Sequence, residues 1–406
     1  MKKSTITLIA SSMVFIEWLE YSLYLYLASI ISKTLLPSES GNNALFMTFG
    51  IFTISYLARP LGGLIFGLYS DSNGRKFPLI VSAFLIAIST IGIGLIPSYQ
   101  SIGILAPILL LFFRLLQSFS VAGEFNNASI FLMEHATTKK TLAGSFIGMA
   151  SSAGMFIGGL FAYLISLSPN DDISWRYAYI IVGIFSFFMM LFRQRLTESP
   201  IYLELRKSKK TNDKLNILYT LKNHFSGIIK IFILASFMSV YIYTCNIFYM
   251  TYLVKDNIFV FSKASQTMML VQGLVTFLTP IFALIAEKYG FRKLFLFSTI
   301  IIMIMAPSLF YGANFHLSYI IYFGLLLYVI GNTGITAIIF RLMYDLLPAS
   351  VRCSGTSLSW SLGAALLGSS APILATYFID DLALFYLPSF YVILLGLLSF
   401  FIVIKK

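Results

Sequence analysis

Apolar stretches of about twenty residues recur along the whole chain, separated by short polar breaks. A helix of about twenty residues crosses the hydrocarbon core of a bilayer. Twelve spans are read, at about 6–32, 44–70, 77–97, 103–132, 141–167, 175–194, 228–253, 265–287, 293–312, 317–343, 352–379 and 384–404. Composition excludes the alternative of a water-soluble fold. Of the 406 residues 58% are hydrophobic and only 11% are charged, where a soluble domain carries about 25%. The expectation is an all-α polytopic membrane protein. Pro60, Pro280 and Pro372 inside the spans do not oppose it, because neighbouring helices re-satisfy the freed backbone groups. The first apolar run is too long for the core of a cleavable signal peptide.

The sign and position of charge set the topology. The net charge is +12. With the N-terminus inside, the basic residues Lys2, Lys3, Arg75, Lys76, Lys139, Lys140, Lys288, Arg292, Lys293, Arg341, Arg352, Lys405 and Lys406 all fall on one side. The other side keeps Lys33, Arg176, Lys255 and Lys263. Cytoplasmic loops of membrane proteins concentrate Lys and Arg, so both termini are expected in the cytoplasm, with the chain in a bacterial cytoplasmic membrane. The longest polar segment, 195–226, divides the spans six and six. It reads as a linker with a helical part lying on the membrane surface. The expected division is an N-terminal half 1–194 and a C-terminal half 227–406.

Metal, disulfide and nucleic-acid roles find no support. Cys245 and Cys353 fall in different spans, and His135, His224 and His316 stand apart near segment ends. No metalloprotease helix or serine-nucleophile elbow is present, so no enzyme and no cofactor is expected.

The two halves repeat. DSNGRK (71–76) and EKYGFRK (287–293) each place an acid three residues before a glycine, followed by basic residues. Glu134 precedes Gly144, and Asp345 precedes Gly355, by ten residues. Two related halves of six helices are the mark of a secondary transporter with its substrate near the midplane.

SYLARPLGGLIFGLYSDSNGRK resembles the second-span and loop signature of the major facilitator superfamily, G-x-x-x-D-x-x-G-R-K. RLLQSFSVAGEFNNASIFLME resembles the fourth-span R-x-x-Q-G-x-x-x-G-G-E of its metabolite:proton symporter branch, which includes proline/betaine, α-ketoglutarate, citrate and shikimate transporters. EWLEY, LTESPIY and LLPASVRCSGTS resemble three further signatures of that branch, in order along the chain. Glu20 stands where the branch has Asp, Ser118 and Ala122 replace glycines, and Leu142 precedes Ala143 and Gly144 where an arginine is usual. The resemblance implies a proton-coupled transporter of a small molecule, and a monomer is expected. Acid and base at helix ends cap neighbouring helices and hold one face closed, so a conformational latch is expected from Asp71, Gly74, Arg75, Glu124, Glu134, Arg292, Asp345 and Arg352.

Depth places the intramembrane charges. At 1.5 Å per residue, Glu17 lies roughly 16 Å into the first span, Arg59 roughly 18 Å from the cytoplasmic end of the second and Arg114 roughly 16 Å into the fourth. Charges at this depth persist when paired or facing a water-filled cavity. Glu20 lies one turn beyond Glu17 on a similar face. Glu17, Glu20 and Arg114 are the candidates for proton coupling. Arg59, Arg114 and Gln117 are candidates for substrate, an arginine holding a carboxylate while a glutamate exchanges the proton. A permanent ion-pair network is the competing reading. The C-terminal half offers Tyr241, Tyr243, Asn246, Gln272, Asn332, Thr336 and Trp360, of which the aromatic members suit a quaternary ammonium by cation–π attraction. The glycines of span 5, Gly144, Gly148, Gly154, Gly158 and Gly159, permit close helix packing. An exporter or antiporter, and a solute sensor that does not transport, remain alternatives.

Overall fold

The computed structural model describes residues 3–37, 41–74, 76–136, 138–168, 171–194, 198, 202–204 and 217–404. Among them every regular element is helical, and twelve helices are long and apolar enough to cross a membrane. The spans are Thr7–Tyr26, Met47–Asn73, Lys76–Leu95, Leu105–His135, Lys140–Ser166, Ile173–Phe192, Asn223–Lys255, Phe261–Tyr289, Phe291–Asn314, Ser318–Tyr344, Arg352–Asp380 and Leu387–Ile404. They follow the apolar runs because a backbone in hydrocarbon must satisfy its own hydrogen bonds. Large apolar side chains such as Leu61, Phe277 and Phe401 stay exposed on the outside of the bundle, where lipid tails replace water. The helix of span 7 begins at Ile217, with a kink at His224, so it reaches back into the segment read as linker. The surface helix expected of that linker falls largely on 205–216, outside the described residues.

Polar and small residues gather inside. Span 5 packs against spans 1, 8 and 10, and span 2 packs against span 11. All but the first of these contacts join the six-helix halves. Glycines set the distances. A Cβ on Gly154 would run into the Phe15 carbonyl oxygen, and one on Gly158 into Ser22 Oγ. One on Gly148 would meet the Thr336 carbonyl oxygen at 2.6 Å, and one on Gly67 would meet Ser354 Cα at 2.8 Å. Helix association in lipid relies on such close packing because no hydrophobic driving force separates helix from tail.

Three spans are irregular where they line the centre. Pro60 lacks the N–H that would bond the Tyr56 carbonyl, and the second span breaks there between helices Gly41–Tyr56 and Arg59–Asn73. Span 7 carries a π-helical turn, Tyr243–Phe248, and span 11 another, Ala364–Gly368. Such turns occur mostly as short insertions, frequently at functional sites. The two meet: a Cβ on Gly368 would touch Ser239 Cβ at 2.5 Å and Tyr243 Cε2 at 3.2 Å.

Candidate functional site

Spans 1, 2 and 4 enclose a small polar cavity between them. Glu17, Glu20, Tyr21, Arg59, Arg114, Gln117, Ser118 and Val121 line it. Its volume of about 20 Å³ holds one or two waters and no amino acid. All four charged residues are buried, at 4% exposure for Glu17, 2% for Glu20, 7% for Arg59 and 3% for Arg114. The mid-depth charges read from the sequence do converge.

Their pairing is unequal. Arg114 Nη1 donates to Gln117 Oε1 at 3.0 Å. Gln117 Nε2 in turn donates to Glu20 Oε2 at 3.1 Å and to Thr90 Oγ1 at 2.9 Å. The link between Arg114 and Glu20 therefore runs through Gln117. The Arg114 guanidinium also lies 4.1 Å from the centre of the Tyr24 ring and 5.6 Å from that of Phe52, and the Tyr24 hydroxyl is anchored on the Thr48 carbonyl at 2.9 Å. Arg114 is thus held from two sides. Arg59 is held by less. Its guanidinium lies 4.0 Å over the Tyr56 ring; its Nε, like that of Arg114, makes no hydrogen bond. Glu17 is the carboxylate whose charge acts on it. Gln117 is a substrate candidate in the sequence, yet both N–H groups of its amide and its oxygen are committed to protein partners.

Two groups of aromatic rings pack near the cavity. On one side Tyr21, Phe52, Tyr56 and Tyr243 pack together, with Phe52 and Tyr56 centroids 4.5 Å apart and Tyr21 and Tyr243 5.4 Å apart. The Tyr56 and Tyr243 hydroxyls meet at 3.1 Å across the two halves. On the side nearer the DSNGRK loop, Phe125 packs on Trp18 at 5.7 Å, Trp360 at 5.3 Å and Phe340 at 5.0 Å. Trp360, a substrate candidate in the sequence, belongs to this second layer and does not line the cavity.

The remaining C-terminal candidates form a separate buried cluster. The Tyr241 hydroxyl donates to Asn332 Oδ1 at 2.8 Å, and Thr336 donates to the same oxygen at 3.1 Å. Tyr26 of span 1 donates to Asn246 Oδ1 at 2.8 Å. Gln272 Nε2 reaches the Tyr328 hydroxyl at 3.4 Å, and its Oε1 has no partner.

The latch residues assemble at the DSNGRK end. Asp71 accepts the backbone N–H of Ser354 at 2.7 Å and of Cys353 at 3.3 Å. It thereby caps span 11 from the other half. A carboxylate there satisfies orphan donors and opposes the helix dipole. Arg352 donates through Nε to the carbonyls of Tyr344 and Leu347, both at 3.1 Å, and through Nη1 to Glu134 at 3.4 Å. Asp345 pairs with Arg341 at 3.0 Å. Gly74 has φ +108, a conformation that glycine adopts without strain. Arg292 is exposed against Phe291 and is not brought into these contacts. Arg75 and the Glu124 side chain lie outside the described residues.

Sequence reasoning did not find Thr90, Tyr24, Tyr56, Tyr26 or Tyr328. Only Tyr56 left a signal, three residues before Arg59 and so on the same helix face. Glu287 and Glu198 were also missed as latch partners. Glu287 accepts the Thr141 N–H at 2.8 Å, and Glu198 accepts the Lys76 N–H at 3.3 Å.

Twelve membrane-spanning helices in two six-helix halves, closed around buried charges at mid-depth, define a membrane transporter. The chain belongs to the Major Facilitator Superfamily, whose sequence pattern matches residues 10–372. It is 26% identical over 397 residues to the proline/betaine transporter of Escherichia coli (strain K12), covering 94% of this chain and 79% of that one. Its identity to the proline/betaine transporter of Salmonella typhimurium (strain LT2) is 25% over 398 residues, covering 94% and 79%. The fold matches that of XylE, a proton:xylose symporter solved bound to 6-bromo-6-deoxy-D-glucose. The TM-score is 0.76 at 16% identity, covering 99% of this chain and 95% of that one. The protein is therefore a secondary transporter and not an enzyme.

Proposed function

We propose that the chain is a proton-coupled symporter of a small carboxylate-bearing solute of the proline and betaine class. The observation that carries this is the buried cavity holding two carboxylates and two guanidiniums. With all four ionised the cluster is neutral. Protonation of Glu20 leaves one positive charge in excess, at a site where uncompensated charge costs several kcal/mol. A substrate carboxylate at Arg59 offsets that charge locally, while the cationic end of a zwitterion is held apart from the guanidiniums on aromatic faces. Proton and substrate then bind better together than apart, which is the thermodynamic content of coupling.

The roles divide along the pairing. Glu20, tied to Arg114 through Gln117, takes the proton. Arg59, stacked on Tyr56 with Glu17 nearby, takes the carboxylate in a bidentate fork. The cationic end of a zwitterion rests against the faces of Tyr21 and Tyr243. The halves 1–194 and 227–406 rock about this site, joined by 195–226. The Asp71 and Arg352 contacts close one face and are released to open it. The chain works as a monomer in a bacterial cytoplasmic membrane, with the DSNGRK loop and both termini on the cytoplasmic side. The names of the relatives support the substrate class.

The test is uptake into proteoliposomes of radiolabelled proline, glycine betaine, α-ketoglutarate and citrate, with and without an inward proton gradient. Gradient-driven uptake of proline or betaine, lost in Glu20→Gln and Arg59→Ala, is the expected result. Uptake of any of these solutes that ignores the gradient removes the proton from the mechanism.

A further inference from the structure

Gln117 is the hub of the polar cluster, and its amide has a single allowed orientation. An arginine donates only, so the amide atom facing Arg114 Nη1 at 3.0 Å is the oxygen. The nitrogen then faces Glu20 and Thr90. Thr90 secures that choice. Its hydroxyl has acceptors for its proton in the Ile86 carbonyl at 2.8 Å and the Glu20 carboxylate, so its lone pairs remain to accept from Gln117. Turning the amide over would set donor against donor at Arg114. The group that Glu20 meets is thus always an N–H, and the Glu20 oxygen facing it, Oε2, is always an acceptor. A proton on Glu20 then goes to Oε1, a buried atom with no hydrogen-bond partner.

We propose that Gln117 and Thr90 are positioning residues that direct the transported proton to Oε1 of Glu20 and keep the carboxyl linked to Arg114 in both protonation states. This rests on the symporter reading for the role of Glu20. Thr90 itself stands against the Glu20 carboxylate. The other groups around Glu20 are Glu17 and Tyr21 on its own helix, Arg59 on span 2 and Arg114 on span 4, which share its cavity, and Tyr179 on span 6. Span 5 meets this helix through Gly154 and Gly158. None of these groups replaces the Gln117 N–H, which bonds a carboxylate more strongly than a neutral carboxyl. Its removal therefore strengthens proton binding.

Infrared difference spectroscopy on the purified full chain, without transport substrate, tests this. The carboxyl C=O band absent from Glu20→Gln is followed against pH. In Gln117→Leu its midpoint is expected about one pH unit higher, a ten-fold gain in proton affinity. Thr90→Val shifts the same way by less, and Thr90→Ser, which keeps the hydroxyl, titrates as the wild type. A midpoint unchanged in Gln117→Leu, or a Glu20 band that never titrates, overturns the proposal. If the band shifts as expected but wild-type uptake ignores the proton gradient, the positioning role stands and the symporter reading falls. If uptake is gradient-driven and the midpoint does not move, the symporter stands and the positioning role falls.

Discussion

Asp71 and Ser354 lie 283 residues apart, on opposite halves of the chain, and are joined by a 2.7 Å hydrogen bond from the Ser354 N–H to the Asp71 carboxylate. Asp71 stands in the last turn of span 2, and Ser354 in the first turn of span 11. The bond caps a helix of one half from the other. In the proposed cycle it holds one face shut, and opening that face breaks it.

Loss of this cap is expected to expose the preceding residue. Cys353 is buried and outside any disulfide, and its own N–H also donates to Asp71. In a Cys245→Ser background, Asp71→Ala should speed alkylation of Cys353. Helix caps contribute roughly 0.5–2 kcal/mol, so the expected gain is roughly 2- to 30-fold. An unchanged labelling rate would show that the cap does not hold this face closed.

Arg59 and Arg114 should differ in what they cost when changed. Arg59→Lys keeps the charge but loses the planar fork and the stack on Tyr56. The expected result is weaker substrate binding by roughly 10- to 150-fold, the worth of a hydrogen bond to a charged group, with proton dependence intact. Arg114→Lys breaks the link through Gln117 to Glu20 and should alter the pH profile of uptake before it alters affinity. Substrate titrations at several pH values separate the two.

Glu20→Gln mimics the protonated carboxyl permanently. Uptake against a concentration gradient should vanish, because no proton can be released to drive it. Exchange of internal for external substrate should survive, since the Arg59 site is untouched. A variant that still concentrates substrate would move the proton to Glu17 or elsewhere.

Glycines inside the bundle are not equivalent to one another. Gly154→Ala sets a methyl against the Phe15 carbonyl, whereas a Cβ on Gly50 would meet nothing within 4 Å. Overpacking costs about 1–3 kcal/mol, while alanine in place of glycine in a helix gains up to about 1 kcal/mol. Thermal unfolding in detergent should therefore come at a lower temperature for Gly154→Ala and at an equal or higher one for Gly50→Ala.

Much of the site was legible because charge in hydrocarbon is rare. Glu17, Glu20, Arg59 and Arg114 each announced themselves against an apolar background, and helix rise put three of them at one depth. The acid–glycine spacing repeated in two loops pointed to Asp71, whose carboxylate accepts the Cys353 and Ser354 N–H groups. Thr90 was not, since a threonine in an apolar span is ordinary until a partner is known. The commitment of Gln117 to Arg114, Glu20 and Thr90 also lay beyond sequence, as did the assignment of Trp360 to an aromatic layer and not to the cavity wall.

The twelve helices, their division into two halves and the depth of the buried charges all follow from the order of the residues. Bilayer thickness, the need of each span to satisfy its own backbone and the 1.5 Å rise of a helix are enough to place them. Which charge faces which is a property of the assembled bundle. Pairing depends on the rotation of each helix about its axis and on how closely its neighbours approach, and both are set by packing between segments far apart in the chain. That is why Arg114 and Glu20, each visible alone, proved to be joined through a glutamine.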